Sequence, residues 1–269
     1  MSTATQPLAP EHGFTNEQGL AQRRTDSPRL GGVKRYATKA VWRTLQGEGV
    51  WAGRAAVFVR LAGCNMWSGE KADRDRDAAR TGAACPLWCD TDFRKRGSVK
   101  LSADDLVAEV CQAADANAED PVRFVVLTGG EPLLQADAAL VQALHNASFE
   151  VATETNGTVP LARAFSTPEG DLVPPDWIVC SPKLPADQLA LEWMDELKLV
   201  VPDYHPDAYA AFAERLRPHT VAGRPRRYGW LQPEDGPRRA EATRLAVALA
   251  QERPFWRVSV QTHKLLGVD

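Results

Sequence analysis

Along most of this 269-residue chain, short apolar runs alternate with stretches of helical period, and that order constrains the fold more than any other feature. Strand-like runs fall at 40–45, 55–61, 122–127, 149–152, 177–180, 197–201, 228–231 and 256–260. Apolar residues spaced three or four apart mark helices at 102–114, 133–144, 206–216 and 239–250. Ser102 and Asp105 form a capping-box signature at the start of the first helix, whose apolar side carries Leu106, Val107, Val110 and Cys111, so Cys111 is expected in the core. Repetition of strand then helix predicts an α/β fold with a curved sheet, and such folds place their chemistry on loops at strand ends. The polar words obey that rule: Cys64, Gly129-Gly130-Glu131, Thr153-Glu154-Thr155-Asn156-Gly157, Ser181-Pro182-Lys183, Gln232-Pro233 and Gln261-Thr262-His263-Lys264 each follow a strand-like run.

Residues 1–32, rich in Thr, Gln, Pro, Gly and charge and without a period, are expected to form a flexible N-terminal extension. Residues 33–269 then make one domain, with a charged insertion at 69–84 that reads as a solvated excursion with local helix. With 35 acidic against 32 basic side chains the formal charge is -3, which gives no general case for nucleic acid or an anionic membrane as partner. No run approaches the roughly 18 apolar residues of a membrane span, and the start lacks the apolar core of a secretory signal, so a cytoplasmic location is expected. Five cysteines at irregular spacing do not form the framework of a disulfide-stapled domain.

Cys64, Cys85 and Cys89 are separated by 20 and three residues and lie beside Gly63, Gly82 and Pro86. Thiolates on such loops ligate zinc or iron, and a three-thiolate site leaves one coordination position open. Spacing alone does not separate these metals, and unrelated thiols are the plain alternative. The surrounding words narrow the choice. Leu61-Ala62-Gly63-Cys64-Asn65-Met66-Trp67-Ser68-Gly69 and Cys85-Pro86-Leu87-Trp88-Cys89-Asp90-Thr91-Asp92-Phe93 closely resemble the cluster loop of the 7-carboxy-7-deazaguanine synthases, a family of the radical S-adenosylmethionine superfamily. Ser68 stands where the superfamily's second cysteine ordinarily falls, as in a subgroup with an extended cluster-loop insertion, and Trp88 and Asp90-Thr91 align Cys89 with the third ligand.

The resemblance implies a partial β/α barrel in which Cys64, Cys85 and Cys89 hold a [4Fe-4S] cluster and the open iron takes the amino and carboxylate groups of S-adenosylmethionine. It implies Trp88, Gly129, Gly130, Glu131, Thr153, Glu154, Ser181, Lys183 and Gln232 on the cofactor side. In Thr128-Gly129-Gly130-Glu131-Pro132 the glycines permit close backbone approach and Glu131 can accept from an ammonium. Read without the resemblance, these loops are ordinary turns and caps. Gln46, Glu48, Arg54, Gly130, His263 and Asp269 are implied on the substrate side. Gln46 and Glu48 match the donors and acceptors of a pterin's pyrimidine edge, while Arg54, with Arg60 as a second candidate, suits a carboxylate. The plain alternatives are a polar hairpin tip and a solvent-facing terminal histidine. Thr91 corresponds to the residue that meets Mg²⁺, a hard cation suited to a hydroxyl oxygen.

The activity implied is a carbon–nitrogen lyase reaction: radical ring contraction of 6-carboxy-5,6,7,8-tetrahydropterin to 7-carboxy-7-deazaguanine with loss of ammonia, as in queuosine and other 7-deazapurine biosynthesis. An external electron donor such as flavodoxin or ferredoxin and a homodimer are implied with it. Another radical S-adenosylmethionine enzyme acting on a small heterocycle and a non-catalytic three-cysteine zinc-binding protein are the alternatives. A nucleic-acid-binding module has the least support.

Overall fold

A computed structural model describes residues 33–84, 89 and 91–268, so the extension expected over 1–32 lies outside the described residues. Eleven strands occur among them: β1 (Tyr36–Leu45), β2 (Ala55–Leu61), β3 (Val99–Leu101), β4 (Phe124–Gly129), β5 (Glu150–Thr155), β6 (Trp177–Cys180), β7 (Glu196–Val201), β8 (His219–Val221), β9 (Arg224–Arg226), β10 (Tyr228–Pro233) and β11 (Trp256–Val258). The helices are α1 (Arg74–Thr81), α2 (Ala103–Ala113), α3 (Ala138–Asn146), α4 (Leu161–Phe165), α5 (Ala210–Ala213), α6 (Arg239–Glu252) and α7 (Thr262–Leu266).

Nine strands form one sheet in the order β11-β10-β7-β6-β5-β4-β2-β1-β3. The run from β2 to β11 is parallel throughout, whereas β1 pairs antiparallel with both β2 and β3. Parallel strands covered on both faces need apolar residues at nearly every position, which is why Trp177–Cys180 is buried along its whole length. Parallel order also brings all their C-terminal ends, and with them the polar words of the sequence, to one rim.

One face of the sheet packs on the helices in a large core that includes Leu61, Leu127, Val151, Ile178, Leu199 and Leu231 with Leu106, Leu140 and Leu249 from the helices. Cys111 is half-buried against that core, as expected. The other face holds a smaller core of Ala56, Phe124, Val126, Ala152, Trp177, Val179 and Tyr228. The β1–β2 connection folds over this face and lays Val50 and Trp51 on it, with the Trp51 ring edge-on to Trp177 at 5.2 Å. Both are half-buried there, so the loop is tied down by its own apolar tip.

The helices expected at 102–114 and 239–250 form as α2 and α6. Ser102 accepts from the Asp105 amide and Asp105 answers to the Ser102 amide, starting α2. The expected 133–144 helix instead divides into a short turn at Pro132–Leu134 and α3, because the Asp137 carboxylate caps the Leu140 amide and restarts the helix. The 206–216 pattern likewise shortens to a turn and α5. The 69–84 insertion is helical at α1, and its Asp77 is buried beneath the Ser68 amide, so the excursion is anchored rather than wholly solvated. No helix among the described residues is long and apolar enough to cross a membrane.

Candidate active site

Above the apolar floor the inner face of the sheet turns polar, because the same two-residue alternation that points Val126 and Ala152 inward also points Thr128 and Glu154 inward. These residues, with Glu48, Lys198, Gln232 and Gln261, line a cavity of about 230 Å³ at the C-terminal rim of the strands. The β1–β2 loop is the piece that closes it. Gln46 donates from Nε2 to Glu154 Oε1 at 3.2 Å and its side-chain oxygen Oε1 accepts the Glu48 amide at 3.1 Å. Glu48 pairs with the Lys198 ammonium and accepts from Gln232 at 3.0 Å and Gln261 at 2.9 Å. A loop from one edge of the sheet is thereby joined to β5, β7, β10 and the segment after β11.

Burial works to raise the Glu48 carboxyl, but the Lys198 charge and the three donors outweigh it and hold the group down at about 2. Lys198, for which burial favours the neutral amine, is pushed up instead by Glu48, Glu154 and Glu196. Glu196 lies deeper, where burial raises its carboxyl against donation from Trp177 Nε1 at 2.6 Å and the Val50 amide at 2.9 Å. It fastens the β1–β2 loop to the floor.

The cysteine loop leaves β2 and is pressed against the end of β4. A Cβ on Gly129, whose φ is +143°, would fall on the Leu61 carbonyl, and one on Gly130 would come within 2.6 Å of the Cys64 Cβ and strike the Gly63 carbonyl. That carbonyl accepts the Glu131 amide at 3.0 Å. Cys64 is half-buried beside this contact, and Cys89 and Thr91 line the cavity. From the insertion, the Arg74 guanidinium stacks 4.5 Å over Trp67 and donates to the Cys89 carbonyl at 3.0 Å, so α1 braces both flanks of the cysteine loop.

No family model matches the chain. The 7-carboxy-7-deazaguanine synthase of Bradyrhizobium diazoefficiens is 46% identical over 237 residues, which cover 87% of this chain and 99% of that protein. The synthase of Bordetella pertussis is 45% identical with the same coverage. The chain belongs to the 7-carboxy-7-deazaguanine synthase family. The crystal structure of QueE from Escherichia coli matches with a TM-score of 0.56 at 27% identity, covering 84% of this chain and 94% of that one, which bears out the expected partial β/α barrel.

Against the synthase pattern read from the sequence, the structure brings together Gln46, Glu48, Gly129, Gly130, Glu154, Ser181, Lys183, Gln232, Cys64, Cys89 and Thr91 around one rim. Lys183 donates to Ser181 Oγ at 2.9 Å on that rim. His263 packs its imidazole over Gly47, where a Cβ would collide with the ring, and Thr262 bonds the Gly47 carbonyl at 2.9 Å. Cys85, Trp88 and Asp269 lie outside the described residues.

Three expected contacts are placed elsewhere. Arg54 sits below the apolar floor, stacked 4.0 Å over Phe124 and paired with Glu150 at 2.5 Å, because it enters β2 at the end opposite the cavity. Arg60, six residues further along and on the inward face of β2, pairs in register with Thr128 and stacks 4.7 Å over Trp42. Thr153 is fully buried and donates to the Leu127 carbonyl at 3.2 Å, since alternation turns it away when Glu154 points inward. Glu131 is a strut beneath the rim: it accepts from the Leu133 and Asn156 amides and the Thr155 hydroxyl at 3.0, 2.7 and 2.8 Å, and burial lifts it to about 7 despite those bonds.

Lys198 escaped the sequence reading. It sits in a strand whose other inward residues are Glu196 and Val200, and the word Glu-Leu-Lys-Leu-Val offers only an alternation of charged and apolar residues as a signal.

Among the described residues no three histidine, cysteine or acidic side chains gather as a metal site, and one of the three implied thiolates, Cys85, lies outside them. The donor set nonetheless fits an iron–sulfur cluster. Soft thiolates at Cys64 and Cys89 flank the glycine rim, and the Met66 amide points at the Cys64 sulfur at 3.4 Å, a bond that favours the thiolate.

Proposed function

We propose that this chain converts 6-carboxy-5,6,7,8-tetrahydropterin to 7-carboxy-7-deazaguanine, releasing ammonia, as a carbon–nitrogen lyase of the radical S-adenosylmethionine type. The observation that carries this reading is the ring formed by Gln46, Glu48 and Glu154 above a dry aromatic floor, directly beside the cysteine loop. The amino and ring N–H groups of a pterin's pyrimidine edge are donors in a row, and the Glu48 and Glu154 carboxylates supply acceptors in a row, with Glu154 held by donation from the Gln46 amide. Arg60, on the inward face beside Thr128, is our candidate for the substrate carboxylate, with Gly130, His263 and Asp269 completing the substrate side.

Cys64, Cys85 and Cys89 would hold a [4Fe-4S] cluster, and Gly129, Gly130, Ser181, Lys183 and Gln232 would surround S-adenosylmethionine, with Thr91 offered to Mg²⁺. When bound, the cluster and S-adenosylmethionine supply a carbon radical able to remove a substrate hydrogen. The protein's own work is to exclude water with Trp51, Trp177 and Tyr228 beneath the substrate and to fix its orientation from the pyrimidine edge. Glu131 holds the β4 and β5 loops together so that the glycine rim keeps its shape. Residues 33–269 form one catalytic domain in this reading, served by an external one-electron donor such as flavodoxin or ferredoxin and assembled as a homodimer.

Anaerobic product analysis of the reconstituted protein tests the proposal. Turnover of the carboxytetrahydropterin should be lost in Cys64→Ala, Cys85→Ala and Cys89→Ala and kept in Cys111→Ala. A protein that takes zinc, shows no iron–sulfur absorption and leaves S-adenosylmethionine intact would remove the assignment.

A further inference from the structure

Lys198 enters the cavity from β7 with 5% of its surface exposed and meets Glu48 there. Both Glu48 oxygens are held: Oε2 by the ammonium and Oε1 by the side-chain amides of Gln232 and Gln261. The other charged groups facing this pair are Glu196 on the same strand and Glu154 on β5; Lys183, Asp203, Glu234 and Asp235 line the cavity further along the rim, and His263 lies behind Gly47. The local cluster therefore contains three carboxylates around one ammonium. In a dry enclosure such a carboxylate stays ionised only when a cation is in contact with it.

Glu131 is the comparison within the same molecule. It accepts three hydrogen bonds from the chain and touches no cation, and burial still lifts it to about 7. Glu48 has two amide donors and the ammonium and is held at about 2. Glu131 feels the Lys183 charge without contact, whereas Glu48 is in direct contact with the Lys198 ammonium.

We infer that Lys198 is a positioning residue of the substrate pocket: it keeps Glu48 ionised and aimed, so that the donor-rich edge of the substrate meets an acceptor throughout the working pH range. The inference rests on Glu48 being a recognition residue, as proposed above. A lysine that merely braced the fold would change stability and leave the pH dependence of binding alone.

The test is substrate affinity by calorimetry across about pH 6 to about pH 9, on enzyme loaded with cluster and S-adenosylmethionine but without reductant, so that no turnover occurs. Wild type should be flat. In Lys198→Met, affinity should fall as pH drops through a midpoint near about 7, with about tenfold loss one pH unit below the midpoint, as protonation converts the acceptor to a donor. Lys198→Gln should behave likewise, and Lys198→Arg should restore the flat profile. A flat profile in Lys198→Met at wild-type affinity overturns the inference. Glu48→Gln separates the two levels of the argument: weak binding at every pH upholds the recognition role whatever Lys198 does, and unchanged binding removes that role itself. Should both neutral variants fail to fold, Lys198→Arg decides, since a sloping profile with the charge retained contradicts the inference.

Discussion

Gly130→Ala adds one methyl group where the β4 loop presses on the cysteine loop. The new Cβ would lie 2.6 Å from the Cys64 Cβ and 2.8 Å from the Gly63 carbonyl carbon. Neither neighbour is the free end of a flexible side chain, so the β4 loop must withdraw from the cysteine loop. Withdrawal lengthens the 3.0 Å bond from the Glu131 amide to the Gly63 carbonyl. Overpacking of this kind costs about 1–3 kcal/mol and a lost backbone hydrogen bond about 1 kcal/mol, so a total of about 2–4 kcal/mol is expected. Against a domain stability of about 5–15 kcal/mol the variant still folds, but its cysteine loop is displaced. Equilibrium urea unfolding of the cluster-free protein reads the first effect, and iron bound per chain after anaerobic reconstitution reads the second. A Gly130→Ala protein within about 0.5 kcal/mol of wild type that also loads iron fully would show that the two loops are not wedged together as described.

Arg54→Ala should lower stability by about 1–2 kcal/mol, from two cation–π contacts and a half-exposed ion pair, while leaving substrate affinity unchanged; Arg60→Ala should weaken that affinity, and calorimetry separates the two. Glu131 is raised by burial from 4.5 to about 7, so the fold favours its protonated form. Its contribution to the stability of the cofactor-free protein should therefore be complete below about pH 4.5 and fall away, by at most about 3 kcal/mol, as pH rises through about 7, a component of the slope that Glu131→Gln should remove in urea titrations. Arg74→Ala removes the stacking on Trp67 and the bond to the Cys89 carbonyl, and should shorten the lifetime of the assembled cluster in air, followed by its visible absorbance, with little change in urea midpoint. Gly47→Ala should weaken substrate binding by pushing His263 aside, and His263→Ala in the same chain should recover part of the loss; independent, additive losses would contradict the contact.

Much of the site was legible because strand-end loops carry it. Short apolar runs show where β2, β4, β6 and β7 lie, and the words that follow them arrive at one rim once the strands are parallel. Arg54 and Arg60 show where legibility stopped. Arg54 immediately precedes the apolar run and Arg60 lies within it, and which one sits towards the cavity's end of the strand depends on the direction of β2 and the register that sets Arg60 beside Thr128. Thr153 and Glu154 are neighbours in one word, and only the facing of β5 separates the buried strut from the cavity wall. Lys198 carried only the weak signal of charge alternating with apolar residues, since its importance comes from a carboxylate 150 positions away.

The sequence by itself determined the class of fold, the cysteine loop and the family, because alternation, glycine placement and ligand spacing are local properties of a chain. Tertiary structure alone decided which charges meet: the Glu48–Lys198 pair, the lifted Glu131 and the brace from Arg74 all join residues from different elements. Burial and long-range pairing set the behaviour of an ionisable group, and neither is a property of its neighbours in the chain.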